Sequence, residues 1–304
     1  MMIPSRLGPP TASRSAAKSR ICKAIGANES SAGVALALGG GFSRGFAHLG
    51  VLEVLEQEGI PVAAIAGTSI GGLLGAAYAD GISVERLCEL GREVRVRDFI
   101  RYNRRDQSAP GNDRISQFVR DWFQAGQIEE LPIPTAIVTT DIANLEPYIF
   151  TQGPIEVALR ATCAYPGLLS PVEYDGRTLA DGCIVSPVPT MAASSMHAAC
   201  VLGVAVGSNE AATSSRRVIR IFNRTKEFWR KRNGRSGSGQ ADILLQPEVQ
   251  QIDWHDFSSV EQARAAGAEA ARRALPRIRM LLDRLSRQRR IPGACGPAES
   301  RAAL

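Results

Sequence analysis

Residues 60–79 read IPVAAIAGTSIGGLLGAAYA, in which a G-x-S-x-G pentapeptide, Gly67 to Gly71, separates two apolar runs. The first run has the length and composition of a buried parallel strand. The second is typical of a helix that ends near Asp80-Gly81. A serine on such a strand–turn–helix unit projects its hydroxyl from the sheet edge onto the N-terminus of a helix. The stretch therefore indicates an α/β fold with a candidate nucleophile at Ser69.

Another strand and helix precede this stretch. Residues 33–38 form a short apolar segment that leads into the glycines Gly39, Gly40 and Gly41, and an amphipathic helix follows. The order β-α-β-α predicts a mostly parallel central sheet flanked by helices. Further strands are predicted at residues 135–141, 146–150, 177–180, 200–206 and 242–245. Helices are predicted at residues 155–161 and 259–285, and within residues 83–130 around a polar loop near residues 107–112.

Composition divides the chain into one domain and two tails. Residues 1–32 are basic, rich in Ser, Ala and Pro, and without apolar periodicity, so we expect a disordered arm. Residues 33–286 are expected to form the domain, with a basic insertion at residues 208–240. Residues 287–304 are expected to be a C-terminal tail.

Composition also bears on location. No apolar stretch approaches the roughly 18–20 residues of a membrane span, and the N-terminus lacks the apolar region of a signal peptide. The six cysteines include no C-x-x-C pair and no zinc spacing, so free thiols in a reducing compartment are expected. The sequence therefore predicts a cytoplasmic protein without a metal site or a cofactor.

The net charge of +6 is concentrated in clusters, of which Arg216–Arg235 has nine Lys/Arg against the single acid Glu227. Two interpretations stay open. The segment is an interfacial helix, with Phe222 and Trp229 in the lipid and arginines on phosphates, or a surface helix whose apolar stripe covers the core. The first predicts peripheral contact with an anionic membrane at its inner surface. Nucleic acid is not expected as a partner, and the sequence does not determine the oligomeric state.

A serine nucleophile needs hydrogen-bond donors for the oxyanion. Gly39, Gly40 and Gly41 are a candidate source, because backbone N–H groups between a strand and a helix can converge on a negative charge. The rival interpretation is a phosphate-binding loop. It is disfavoured because neither the G-K-[ST] ending nor the G-x-G-x-x-G spacing is present.

The nucleophile also needs a base, and none of the three histidines has the context of a triad histidine. His48 is expected about two helical turns beyond the glycines, His197 in an Ala/Ser/Met helix, and His255 in a loop. Asp181, at the end of a brief strand, is placed to point out of a turn. Taken alone, however, an Asp-Gly pair is more often an ordinary turn.

Taken in order, residues 39–45 (GGGFSRG), 67–71 (GTSIG) and 181–182 (DG) resemble the motifs of the patatin-like phospholipase family. Residues 161–167 and 186–189 also fall where bacterial members carry similar segments. The similarity spans the whole predicted domain. It implies a three-layer α/β/α fold and a bacterial patatin-like acyl hydrolase.

The resemblance implies a Ser–Asp dyad, with Ser69 as nucleophile, Asp181 as base, and Gly39, Gly40 and Gly41 around the oxyanion. The substrate would be a phospholipid, a lysophospholipid or a related lipid ester, hydrolysed through an acyl-enzyme without metal or cofactor. One alternative is a thioesterase or acyltransferase with the same dyad. Another is a non-catalytic protein that binds lipid or a partner.

The sequence departs from the family pattern at two positions. Cys183 follows Asp181-Gly182 where the family usually has a second glycine, and a positive φ there would strain the backbone. Phe42 stands where small residues are common. It would narrow the site or pack beneath the following helix.

Overall fold

The structure is a computed structural model that describes residues 33–94, 113–196, 198–207 and 241–289. Several predicted features lie outside the described residues: the N-terminal arm, the loop near residue 107, His197, the basic segment 208–240 and most of the C-terminal tail.

The described residues form eight strands and seven α-helices. The strands are β1 (Val34–Leu38), β2 (Val62–Thr68), β3 (Thr135–Asp141), β4 (Glu146–Phe150), β5 (Val172–Tyr174), β6 (Arg177–Asp181), β7 (Cys200–Val204) and β8 (Ile243–Leu245). The helices are α1 (Ala47–Gln57), α2 (Ile70–Ala79), α3 (Val84–Glu93), α4 (Asp113–Trp122), α5 (Ile155–Thr162), α6 (Thr190–Ser194) and α7 (Val260–Arg289). Short 3-10 turns occur at Phe42–Phe46, Ile128–Glu130, Gly182–Ile184 and Phe257–Ser259.

The strands form one mixed sheet in the order β5-β6-β3-β2-β1-β7-β8, with β4 also paired to β3. Five strands, β1, β2, β3, β7 and β8, run parallel to one another. Strands β4 and β6 are antiparallel to β3, and β5 is antiparallel to β6. This arrangement confirms the predicted α/β fold with a mostly parallel central sheet flanked by helices.

The central strands bury both faces, because successive side chains point to opposite sides of a sheet. On β1, Leu36 and Leu38 join the larger core with side chains of α1, α2 and α7. Ala35 and Ala37 face the other side, where Ala193 of α6 packs against them. Small residues on this second face let the short helix α6 lie close to the sheet.

Strand β3 brings distant parts of the chain together. Its first half pairs with β2 up to Thr68 opposite Val138, and its next residue, Thr139, pairs with Asp181 of β6. The end of β2 and the end of β6 therefore pair with successive residues of β3. This register sets the position of the residues that follow Thr68.

The element boundaries differ from the predictions in a few places. The three-residue strand β5 was not predicted, because so short a strand carries no periodic signal. Strand β7 ends at Val204, and α7 continues to Arg289 through Pro276. Residues 123–130, predicted as helix, contain only the turn Ile128–Glu130. In the described ranges every helix is too short or too polar to cross a membrane.

Candidate active site

Ser69 occupies the sharp turn between β2 and α2. Its backbone has φ 54° and ψ −126°, a strained conformation for a residue with a side chain. The Ser69 amide donates to Thr162 Oγ1 at 2.8 Å, and that hydroxyl donates to the Val138 carbonyl at 2.6 Å. The turn is thus held to β3 by a chain of two hydrogen bonds.

Asp181 is in direct contact with Ser69. The Ser69 hydroxyl donates to Asp181 Oδ2 at 2.7 Å, and the Cys183 amide donates to Oδ1 at 2.8 Å. The Asp181 backbone is fixed as well, since its amide donates to the Ala164 carbonyl and its carbonyl accepts from Thr140 Oγ1. Both carboxylate oxygens therefore accept a hydrogen bond.

Across the described residues, no group of three or more His, Cys, Asp or Glu side chains could hold a metal ion.

Burial dominates the electrostatics of the Asp181 carboxyl, which is fully inaccessible to solvent. Loss of hydration raises its pKa to about 6, although the hydrogen bonds from Cys183 and Ser69 act in the opposite direction. The carboxylate is ionised at neutral pH. Its pKa is also closer to neutral pH than that of an ordinary aspartate, as suits a proton acceptor.

The glycine loop between β1 and the first 3-10 turn has most of its backbone bonded to other segments. The Gly39 amide donates to the Val204 carbonyl and the Gly40 amide to the Pro187 carbonyl, each at 3.0 Å. Within the described residues, the Gly41 amide donates to no acceptor. Of the three predicted donors, only Gly41 therefore has its N–H available to a ligand in this structure.

Gly40 lies against both Ser69 and Cys183. A Cβ atom at Gly40 would come within 2.0 Å of Cys183 Sγ and 3.1 Å of Ser69 Cβ, so only glycine fits there. Cys183 itself, a free thiol in the turn that follows Asp181, is not among the described residues with positive φ. The prediction of backbone strain at Cys183 was therefore wrong. The Cys183 thiol packs against the glycine loop.

His48 is a residue of this region that sequence reasoning missed. Its Nε2 lies 2.7 Å from the Gly39 carbonyl, and the ring is fully buried. The expected separation of two helical turns is wrong because residues 42–46 form a 3-10 turn, with Phe42 at φ 51°, that returns the chain towards the loop. Burial lowers the pKa of His48 to about 4, so the ring is neutral at physiological pH.

An apolar cleft opens at Ser69. Its lining residues come from the glycine turn, α2, α4, the segment after α5, and the loop before α7: Phe42, Ser69, Ile70, Leu73, Ile115, Cys163, Tyr165, Leu168, Leu169, Trp254 and Phe257. The Phe42 ring lies 4.9 Å from that of Trp254 and 5.4 Å from that of Tyr165, centroid to centroid. Phe42 therefore narrows the cleft, as the first of the two predictions for this residue had it.

The family model described as Patatin-like phospholipase matches residues 36–194, which include the glycine loop, Ser69 and Asp181. The chain belongs to the patatin-like phospholipase family. This confirms the resemblance drawn from the sequence motifs.

Relatives of this patatin-like protein occur in bacteria and animals. An uncharacterized NTE family protein of Mycobacterium tuberculosis is 37% identical over 185 residues, which are 60% of this chain and 51% of the relative. The human patatin-like phospholipase domain-containing protein 6 is 35% identical over 185 residues, 58% of this chain and 14% of that protein. The chain thus spans about half the length of the mycobacterial relative. Among solved structures, VipD from Legionella pneumophila is similar with a TM-score of 0.48 and 14% identity, covering 83% of this chain and 66% of that one.

In this patatin-like protein, the loop that carries Trp254 is tied to the turn after the glycines. Ser43 Oγ lies 3.0 Å from the Asp253 carbonyl and 2.8 Å from the Trp254 carbonyl, and Arg44 Nε donates to the Ile252 carbonyl at 2.7 Å. These bonds link segments about 210 positions apart in the sequence. They fix one wall of the cleft relative to the glycine loop.

Proposed function

We propose that this patatin-like protein is a serine acyl-ester hydrolase that cleaves phospholipids, lysophospholipids or related lipid esters with a Ser69–Asp181 dyad. The observation that carries the proposal is the 2.7 Å hydrogen bond from Ser69 Oγ to a buried carboxylate at the edge of an apolar cleft. Membership of a phospholipase family supports the same chemistry.

In the proposed reaction, Ser69 Oγ attacks the ester carbonyl while its proton passes to Asp181 Oδ2. The Gly41 amide and the N-terminus of α2, which begins at Ile70, stabilise the tetrahedral oxyanion. Gly39 and Gly40 hold the loop in place through their bonds to Val204 and Pro187. Asp181 returns the proton to the leaving alcohol, and then accepts a proton from the water that attacks the acyl-enzyme. Asp181 passes this proton to Ser69 Oγ as the bond between Oγ and the acyl group breaks and the carboxylic acid leaves.

The cleft suits the acyl part of the substrate. Its wall beyond Ser69 is made almost entirely of aliphatic and aromatic side chains, so transfer of a hydrocarbon chain from water is favourable at about 25 cal/mol per Å² buried. Because Ser69 lies in this wall, an ester carbonyl next to the chain would be within reach of the hydroxyl. This favours a lipid ester over a small polar ester.

The alternatives use the same residues or none of them. A thioesterase or acyltransferase would form the same acyl-enzyme and differ in leaving group or acceptor. A non-catalytic binding protein has no need of the Ser69–Asp181 contact.

Contact with an anionic membrane through Arg216–Arg235, at the cytoplasmic side, stays a prediction of the sequence.

Covalent labelling with a fluorophosphonate probe tests the proposal, since the probe phosphonylates an activated serine. We expect labelling of the parent protein and of Ser195→Ala, and none of Ser69→Ala. Ser195 is a suitable control because its hydroxyl donates to the Ala192 carbonyl on α6. An unlabelled parent would favour the binding protein. Release of fatty acid from phosphatidylcholine or lysophosphatidylcholine, compared with release from acyl-coenzyme A, separates the esterase from the thioesterase.

A further inference from the structure

His48 is a buried polar residue on the apolar side of the amphipathic helix α1. The ring lies in the first turn of α1, between residues that are themselves buried, and none of its surface reaches solvent. A carbonyl oxygen can only accept, so the 2.7 Å contact with the Gly39 carbonyl places the hydrogen on Nε2. Nδ1 is then an acceptor, and it has no partner within the described residues.

This hydrogen bond completes a set that fixes the glycine loop. The Gly39–Gly40 peptide is held at both ends, its carbonyl by His48 and its N–H by the Pro187 carbonyl. The Gly39 amide is held by the Val204 carbonyl. Three consecutive glycines would otherwise rotate freely, at a large cost in conformational entropy on ordering. The next amide along the chain is that of Gly41.

We propose that His48 is a positioning residue for the oxyanion loop: by holding the Gly39 carbonyl, it aims the Gly41 N–H at the substrate. The inference rests on the proposed hydrolase function. It explains why a fully buried histidine occupies a helix that is otherwise apolar on this side: the ring supplies a hydrogen-bond donor to a carbonyl of the glycine loop.

Two amide substitutions that differ only in reach test the inference. In His48→Gln the side-chain NH2 falls near the place of Nε2 and can still donate to the Gly39 carbonyl. In His48→Asn the amide falls near the place of Nδ1 and cannot. We expect kcat for a p-nitrophenyl ester to fall by about tenfold to a hundredfold in His48→Asn, with KM changed by less than about threefold. His48→Gln should recover most of kcat.

A trifluoromethyl ketone separates positioning from general support of the fold, because its hemiketal with Ser69 carries an alkoxide that needs the oxyanion donors. A product fatty acid needs no such donors. His48→Asn should bind the ketone at least about tenfold more weakly and the fatty acid with unchanged affinity. If His48→Asn does not fold, His48→Leu takes its place. Thr190→Val is the matched control, because Thr190 is also buried, with a hydroxyl that has no partner among the described residues, but lies on α6.

The outcomes distinguish the two proposals. A parent protein that neither reacts with fluorophosphonate nor hydrolyses esters overturns the proposed function. An active parent whose folded His48→Asn variant keeps kcat and ketone affinity overturns the role of His48 alone. Equal losses in His48→Asn and Thr190→Val would also overturn it, because they would show a general effect of core disruption.

Discussion

The Ser69–Asp181 pair combines a strained backbone with a buried carboxyl. Ser69 has φ 54° without being glycine, and Asp181 has no solvent contact. Each feature destabilises the folded protein, the first by about 1–3 kcal/mol of backbone strain and the second by loss of hydration. In return, the hydroxyl is fixed 2.7 Å from a carboxylate whose basicity is raised.

The raised pKa of Asp181 predicts the pH dependence of ester hydrolysis. In the proposed reaction the ionised carboxylate accepts the Ser69 proton, so we expect activity above the pKa and its loss as the pH falls through the pKa. We expect the acid limb of kcat/KM to have its midpoint near the pKa of about 6. An ordinary aspartate would put the midpoint near 4. The measurement is kcat/KM for a neutral p-nitrophenyl ester. The released p-nitrophenol is read at the wavelength where its acid and its phenolate absorb equally, so that the signal does not change with pH.

Asp181→Asn provides the control for this profile, since it removes the titrating group while keeping the size of the side chain. It should abolish turnover at every pH. A parent profile that stays flat down to about pH 4.5 would show that the free carboxyl is an ordinary one. A midpoint near 6 that persists in a residual activity of Asp181→Asn would assign the titration to another group.

Single residues also show how far the sequence could be read. Ser69 and Asp181 were assigned from family motifs, and the structure brings the two side chains together. The sequence could not predict that the Gly39 and Gly40 amides donate to other backbone carbonyls, because those acceptors are more than 140 positions away in the chain. His48 did carry a signal: a histidine inside a buried apolar turn must find a hydrogen-bond partner.

At the level of elements, the cleft is assembled from segments that no local pattern relates. The turn at residues 42–46 supplies Phe42, and the loop at residues 252–254 supplies Trp254. Ser43, only 2% exposed, connects them through its hydroxyl. Sequence periodicity identifies strands and helices one at a time, so neither the β3–β6 register nor this connection could be predicted.

Ser43→Ala should loosen the wall of the cleft that carries Trp254. The variant loses one hydroxyl donor that is shared between the Asp253 and Trp254 carbonyls, worth about 0.5–1.5 kcal/mol in all. If the cleft holds the acyl chain, kcat/KM for a long-chain ester should fall several-fold more than kcat/KM for an acetyl ester. The comparison of a p-nitrophenyl palmitate with the acetate measures this difference.

Ser195→Ala is the matched control for Ser43→Ala. It also removes a serine hydroxyl bonded to a backbone carbonyl, but at α6, away from the cleft. We expect it to change both esters equally and little. Equal falls for the two esters in Ser43→Ala would mean that the turn affects the dyad rather than the acyl site.

At the scale of the whole molecule, the C-terminal helix supports the helix that carries His48. Helix α7 packs along α1, and two glycines allow the backbones to touch. A Cβ at Gly50 would lie 1.9 Å from the Arg264 carbonyl oxygen, and one at Gly267 would lie 1.8 Å from the Ala47 carbonyl oxygen. Helix α7 thus contacts the first turn of α1, next to the His48 ring that hydrogen-bonds the glycine loop.

This contact predicts that Gly267→Ala destabilises the protein, against helix propensity. Alanine in a helix is favoured over glycine by about 1 kcal/mol, so propensity alone predicts a higher melting temperature. The added methyl group would overlap the Ala47 carbonyl and force α1 and α7 apart, an overpacking that typically costs about 1–3 kcal/mol. Less the gain from propensity, the net loss is up to about 2 kcal/mol, and we therefore expect Tm to fall by up to roughly 8 °C. Ala265→Leu, which adds bulk to the exposed side of the same helix, should leave Tm nearly unchanged. A rise in Tm for Gly267→Ala would show that α7 does not touch α1 in solution, and the support that this helix gives to the first turn of α1 would then have to come from elsewhere.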